Sequence, residues 1–315
     1  MRRIREQLSA TDVEAHGAAI SRAIARRARR FGVVRWSFVG APPSMRVEAW
    51  SRRAHHRTRS FIVRLPSALG FRLRVEIVIG VAPVVAPLSF TAPERVDQQL
   101  APGAPILVGA DAGTSRAGVA AIVVIDAAAH IVTCGHAFLD GGTNVFCDGD
   151  PEPIATLTAS YLDATPRLDA AICALSDHGR DLLLDAGEAP TWFQSCRAPD
   201  AALNGEPVVF WPTSEGFTGG RDPVSTTVLS YLASTSVLFD GDPRDGFVEL
   251  PFAVTPGDSG SLLATSDAML GLCSGEIEER WSLFTPLSTV MDRLRADHGK
   301  VDLWDPTHAD QLLSG

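Results

Sequence analysis

Cysteine is scarce in this chain of 315 residues: five, at positions 134, 147, 173, 196 and 273, an odd number without a CxxC pair. That set argues against a disulfide framework or a thiolate zinc site and predicts reduced thiols in a cytoplasm. Tyrosine occurs twice and lysine once, at Lys300; the lone lysine resembles the usage of a GC-rich bacterial genome and carries no chemistry. Uninterrupted apolar runs of the length a spanning helix needs are missing, so no membrane role is expected. The opening MRRIREQLSATDVEAHG is basic but has neither an apolar core nor a small-residue cleavage site, so no secretory signal is expected. What is plentiful is glycine (27) and proline (21), which favours many tight turns and short strands. With 45% hydrophobic and 21% charged residues the chain can bury a core, and wholesale disorder is excluded.

Charge is divided along the chain. Residues 1–80 hold 17 arginines against five acidic residues, a balance of +12, and the remainder holds 11 Lys and Arg against 32 acids, a balance of −21. Such a division predicts two units, or a basic unit that faces an anionic partner. Thr11-Asp12-Val13-Glu14 fits a capping box, and Val13, Ile20, Ile24 and Phe31 follow at helical spacings. Arg22, Arg26, Arg29 and Arg30 stripe another face of that helix. The stripe is read as solvated and docked on the acidic remainder; nucleic-acid binding is not expected, because no aromatic or Gly-rich recognition pattern accompanies it. Strand-like runs follow at Val33–Val39, Met45–Trp50, Ser60–Leu65 and Phe71–Val81, so residues 1–100 are expected to form a small basic α+β accessory domain. Its Pro-rich linker starts at about 82.

From Ile106 onward short apolar runs alternate with Gly, Asp and Pro, and no helix is expected until Pro286–His298, where Leu287, Val290, Met291 and Leu294 share a face. This predicts a mainly β domain over 101–300, an antiparallel barrel or sandwich with a C-terminal helix, and a tail at 301–315.

Thr255-Pro256-Gly257-Asp258-Ser259-Gly260-Ser261 is the strongest chemical signal. A serine between glycines on a tight turn exposes its hydroxyl, and the amides of Gly257 and Ser259 can converge on a developing oxyanion. The plainer reading is an ordinary Gly-Asp turn between strands. A serine nucleophile needs a base, and the base needs an orienting carboxylate. His136 ends an apolar strand in Thr133-Cys134-Gly135-His136-Ala137-Phe138, and Asp169 opens one in Leu168-Asp169-Ala170-Ala171-Ile172. Singly, the histidine reads as a core residue and the aspartate as a strand-entry residue. Their joint order with Ser259 is what suggests chemistry, with Asp163 and Asp177 as fallback carboxylates.

In that order the three segments resemble the His, Asp and Ser motifs of chymotrypsin-like (trypsin-like) serine endopeptidases, over roughly residues 106–300. Leu270-Gly271-Leu272-Cys273-Ser274-Gly275 is similar to the family strand that pairs with substrate backbone, and Gly113-Thr114-Ser115-Arg116-Ala117-Gly118-Val119 to the first-strand block of bacterial intracellular members. The resemblance implies a chymotrypsin-like double β-barrel and peptide-bond hydrolysis by Ser259, His136 and Asp169. It implies an oxyanion hole of Gly257 and Ser259, and substrate contacts at Ala253, Ser274, Gly275 and Glu276. It implies no metal or organic cofactor and a protein or peptide substrate. Separately, the balance of +12 in the first 80 residues, with every candidate catalytic group beyond residue 130, predicts that residues 1–100 regulate or target the protease and meet a regulatory partner. The same triad serves an ester-cleaving acyl hydrolase, and the same scaffold serves a catalytically silent binding module. Two departures bear on specificity and activation. Ala253 stands where trypsin-type members keep an aspartate, which disfavours cleavage after basic residues. Ile106-Leu107-Val108-Gly109 is faintly similar to the new N-terminus of activated zymogens, but Pro105 would block the cut.

Overall fold

The computed structural model describes residues 33–39, 44–49, 74–79, 100–109, 115–147, 150–162, 164, 168–186, 193–200, 203, 205–214, 222–228, 230–232, 237–239, 242–244, 246–277 and 281–306. The helix expected behind Thr11, the Ser60–Leu65 strand, Gly113, Thr114 and Asp163 lie outside them. The chain divides into two units. The first joins Met1–Val85 to Pro199–Glu206 and Val228–Pro251, and the second comprises Ala86–Ala198, Pro207–Thr227 and Phe252–Gly315. Two stretches that the sequence places within 101–300 thus group with the N-terminal residues, a long-range association that local pattern cannot report.

In the first unit, β1 (Val33–Val39) pairs antiparallel with β2 (Ser44–Ala49), and β2 pairs parallel with β3 (Arg74–Ile79).

In the second unit the chain enters through β4 (Pro105–Gly109), β5 (Ser115–Gly118), β6 (Ala121–Ile125) and β7 (Ala128–Thr133). The two-residue turn between β6 and β7 carries positive φ at Asp126 (49°) and Ala127 (65°), the twist a tight hairpin requires. β8 (Asn144–Cys147), β9 (Pro153–Ser160) and β10 (Ala171–Leu175) complete the first pass. A helix then appears where only strands were expected: α1 (Asp177–Asp185). Its signal is local, a Ser176 hydroxyl that accepts the Gly179 amide and so caps the first turn.

Beyond it come β11 (Pro207–Phe210) and β12 (Val224–Thr227). The first unit then takes β13 (Ser230–Leu232), β14 (Val237–Phe239), β15 (Asp242–Arg244) and β16 (Phe247–Leu250), with β13 against β16 and β14 against β15. The second unit resumes with β17 (Leu262–Ala264), β18 (Met269–Ile277), β19 (Trp281–Pro286), α2 (Leu287–His298) and β20 (Val301–Leu303).

The second unit is thus mainly β and is built on two antiparallel sheets, as expected. One runs β20-β6-β7-β10-β9-β8-β4-β5; in the other β12-β11-β17-β18-β19 are neighbours in that order. The C-terminal helix forms where its apolar face predicts, with Leu287, Val290, Met291 and Leu294 buried, and Gly299 at φ +80° ends it. Residues 301–303 correct the expectation of a tail: they form β20 and pair with β6 in register Val301↔Ile125. Both sheets contribute to one core, which includes Ile106, Val119, Ile122, Ile172, Leu272 and Leu287.

The sheets meet closely at one place. The Gly118 amide, at the end of β5, donates to the Ser259 carbonyl (2.8 Å), and the Thr133 hydroxyl donates to the Gly118 carbonyl (2.7 Å). A Cβ on Gly260 (φ +79°) would collide with the Thr133 hydroxyl and sit 2.7 Å from the Gly118 carbonyl oxygen. Only glycine fits there.

Candidate active site

Ser259 stands on the turn that precedes β17. Left-handed glycines flank it, Gly257 at φ +101° and Gly260 at φ +79°, and the bonds Asp258 N–H to Thr255 O and Ser261 N–H to Asp258 O (both 3.0 Å) close the turn. The Asp258 side chain anchors it from below. This carboxylate is fully buried and accepts four hydrogen bonds, Oδ1 from the amides of Thr213 (3.0 Å) and Ser214 (2.8 Å), Oδ2 from the amide (2.9 Å) and hydroxyl (3.0 Å) of Thr255. A buried carboxylate is tolerable when fixed donors replace its water, as these four do. Thr213 closes the circle by donating its hydroxyl to the Gly257 carbonyl (2.5 Å), which leaves the Ser261 hydroxyl to donate to Thr213 Oγ1 (2.8 Å). Among the described residues no acceptor is assigned to the amides of Gly257 and Ser259. The sequence marks Asp258 only as part of a motif; two of its four donors lie on a segment more than forty residues away.

His136 opens a one-turn 3-10 helix, His136–Phe138, that follows β7. Gly135 before it is confined: a Cβ there would lie 2.8 Å from Leu162 Cγ and 3.0 Å from the Ala170 carbonyl oxygen. Asp169, 2% exposed, reaches this corner from the entrance to β10. Its Oδ1 accepts the backbone amides of Gly135 (3.0 Å) and His136 (3.1 Å), and its Oδ2 pairs with His136 Nδ1 (2.8 Å). On the other side of the ring, Nε2 lies 2.6 Å from Ser259 Oγ. With Nδ1–H directed at a carboxylate, the lone pair of Nε2 faces the serine hydroxyl, the tautomer a proton acceptor needs. Burial lowers the proton affinity of His136, but the Asp169 hydrogen bond and charge, together with the adjacent Cys134 thiol, outweigh it and hold the ring's pKa above its ordinary value.

The three residues that the sequence singles out are therefore brought into one hydrogen-bonded row. Asp177 is not part of it: it lies in the first turn of α1 and pairs with Arg180. Of the residues proposed to contact substrate, Ser274 is buried and its hydroxyl is spent on Thr285 (2.7 Å). Gly275 has φ +142°, and Glu276 is exposed on β18. Ala253 follows Phe252, whose carbonyl accepts the Ser282 hydroxyl (2.9 Å), and Ser282 is the register partner of Glu276. The segment carrying Ala253 thus abuts the β18–β19 pair. Ile106 is no chain terminus: it is buried within β4, paired to Ala117 and Cys147.

The five cysteines are free, and burial pushes the Cys173 and Cys273 thiols well up. Among the described residues no three His, Cys, Asp or Glu side chains group to hold a metal ion, and no helix is long and apolar enough to cross a membrane.

No protein-family model and no curated protein matches this chain. Similar solved structures include Thermobifida fusca Protease A, at 17% identity over 65% of this chain and 98% of that one, with a TM-score of 0.46. A Nocardiopsis protease matches at 14% identity over 66% and 100%, with a TM-score of 0.47. Cellulomonas bogoriensis chymotrypsin matches at 18% identity over 65% and 98%, also at 0.47.

Proposed function

We propose that this chain is a serine endopeptidase of the chymotrypsin-like kind. The single observation that carries the reading is the row Asp169–His136–Ser259, with 2.8 Å and 2.6 Å between successive polar atoms. His136 Nε2 removes the Ser259 hydroxyl proton as Oγ forms a bond to the scissile carbonyl carbon. Asp169 holds the ring and stabilises the imidazolium. The carbonyl electrons move onto oxygen, where the amides of Gly257 and Ser259 receive them. Collapse breaks the C–N bond; the leaving amine takes the proton from His136, and the acyl group stays on Ser259. Water, deprotonated by His136, then releases the acid and restores the serine.

Substrate is proposed to lie along β18 at Ser274, Gly275 and Glu276, with Ala253 at the base of the pocket. A protein or peptide substrate, a cytoplasmic setting of the bacterial intracellular type and a regulatory or targeting role for residues 1–100 belong to the same reading. What supports the last two is the sparse, unpaired cysteine set and the balance of +12 in the first 80 residues. Incubation with denatured casein tests the function. Wild type releases peptides and Ser259→Ala releases none; equal release by both would defeat the proposal.

A further inference from the structure

β20 is an edge strand of its sheet, and its outer side has no neighbouring strand among the described residues. Alternate residues of an antiparallel pair turn their backbone groups in opposite directions. The Trp304 amide donates to the Ile122 carbonyl (2.9 Å), so Val301 and Leu303 turn theirs away from β6, and no partner is assigned to them among the described residues. The same strand walls a cavity of about 300 Å³. Val301, Asp302 and Leu303 all line it, although successive side chains of a strand lie on opposite faces, so the cavity meets β20 along its edge. A second wall is the segment 194–196. It is pinned by Met269 N–H on the Ser195 carbonyl (3.0 Å), Arg197 N–H on the Met269 carbonyl (2.8 Å) and Gln194 Nε2 on Asp305 (3.0 Å). The third is α2, which supplies Ser288, the buried Met291 and Arg295 at helical spacings. None of these residues belongs to the row Asp169–His136–Ser259.

The charge around this cavity is mixed. Arg295 pairs with Asp292 at 3.3 Å and Asp302 with Lys300 at 3.0 Å, both exposed pairs that a ligand's own charges can replace. Burial pushes the Cys196 thiol up to about 12, while the Arg295 guanidinium acts against that rise and Asp292 adds to it, so the Arg295 charge reaches the cavity. A chamber of this size admits a small molecule rather than a folded partner. We infer that it binds a short peptide with free termini. The peptide's carboxylate takes a charge-assisted bond from Arg295, and its ammonium group meets Asp302. Its amide pairs with the outward backbone groups of Val301 and Leu303, as an added strand would, and an apolar side chain rests on Met291. A simple anion or a simple cation fits less well, because each would meet a charge of its own sign. The site stands apart from the triad, and the inference does not rest on the endopeptidase reading.

The test is a calorimetric titration of the full chain carrying Ser259→Ala with the dipeptide alanyl-leucine. The expected dissociation constant is about 0.1–1 mM, the range open to a ligand of this size. N-acetyl-alanyl-leucine and alanyl-leucine amide each lack a terminal charge and bind about tenfold more weakly. Arg295→Gln makes the free acid and the amide bind alike, and Asp302→Asn does the same for the free and acetylated amines. N-methylation of the dipeptide's amide, which removes the donor offered to β20, weakens binding as well. The blocked peptides leave the protein unaltered, so they remain decisive where a variant fails to fold. No binding, equal binding of free and blocked peptides, or an Arg295→Gln protein that still prefers the free acid overturns the inference. Because no turnover is read, the result does not depend on whether Ser259 is a nucleophile.

Discussion

Asp169 holds His136 twice, once by its backbone and once by its ring: Oδ1 accepts the histidine amide at 3.1 Å while Oδ2 pairs with Nδ1 at 2.8 Å. The carboxylate therefore fixes where the histidine is as well as which nitrogen carries the proton. Asp169→Asn keeps the volume and loses the charge, and on the proposed mechanism it lowers kcat by about 10⁴-fold.

The same substitution moves the pH profile. The pKa of His136 is raised above its ordinary 6.5, mainly by Asp169 acting against burial, and only the neutral ring accepts the serine proton. Activity in wild type therefore falls as pH drops through a limb lying above 6.5. Asp169→Asn removes the main raising influence, so its residual activity persists to lower pH and the limb shifts to the acid side. A pH series of inhibitor-labelling rates for both proteins checks this.

Asp258→Asn probes the turn beneath the nucleophile. An amide offers one acceptor atom where the carboxylate offers two, and its NH₂ would face the Thr255 amide or the pair from Thr213 and Ser214. The turn loses its anchor and the Gly257 and Ser259 amides lose their alignment. The expected result is a fall of about 10²-fold in kcat with KM little changed. A fall in thermal stability with unchanged kcat in the surviving folded protein would contradict the positioning role.

The satisfied state of Asp258 also predicts that no proteolytic activation is needed. With four donors already on its oxygens, this carboxylate needs no further partner such as the ammonium group that a cut before Ile106 would free, and Ile106 is locked inside β4. Intact-mass analysis of inhibitor-labelled protein should find the whole chain uncut between Pro105 and Ile106.

Gly260→Ala tests the seam between the sheets. Its Cβ would enter the space of the Thr133 hydroxyl and the Gly118 carbonyl at a φ of +79°, so the two sheets must part or the turn must shift. The expected cost is about 2–4 kcal/mol, seen as a lower urea midpoint.

The sequence is most legible where one residue type has little freedom of place. A serine between two glycines, a histidine ending an apolar strand and an aspartate opening one are local signals, and the structure draws the three together. The C-terminal helix is legible because Leu287, Val290, Met291 and Leu294 recur with helical spacing. What escapes is of two kinds. α1 rests on one serine cap and a run of only nine residues, too short to stand out among strands. The others are partnerships at long range, such as β20 beside β6, the Thr213 and Ser214 amides beneath Asp258, and the stem of Arg116 on Gly257. No local spacing encodes them, because each depends on where two sheets meet.

The most direct measurement is the mass of Ser259 after exposure to a fluorophosphonate, taken on the full chain and on Ser259→Ala and His136→Ala. An armed serine predicts one covalent adduct on the Ser259 peptide of wild type, none on Ser259→Ala and at most a trace on His136→Ala. Wild type that stays unmodified while folded would show that the row Asp169–His136–Ser259 does not make a nucleophile, and would contradict the account at its centre.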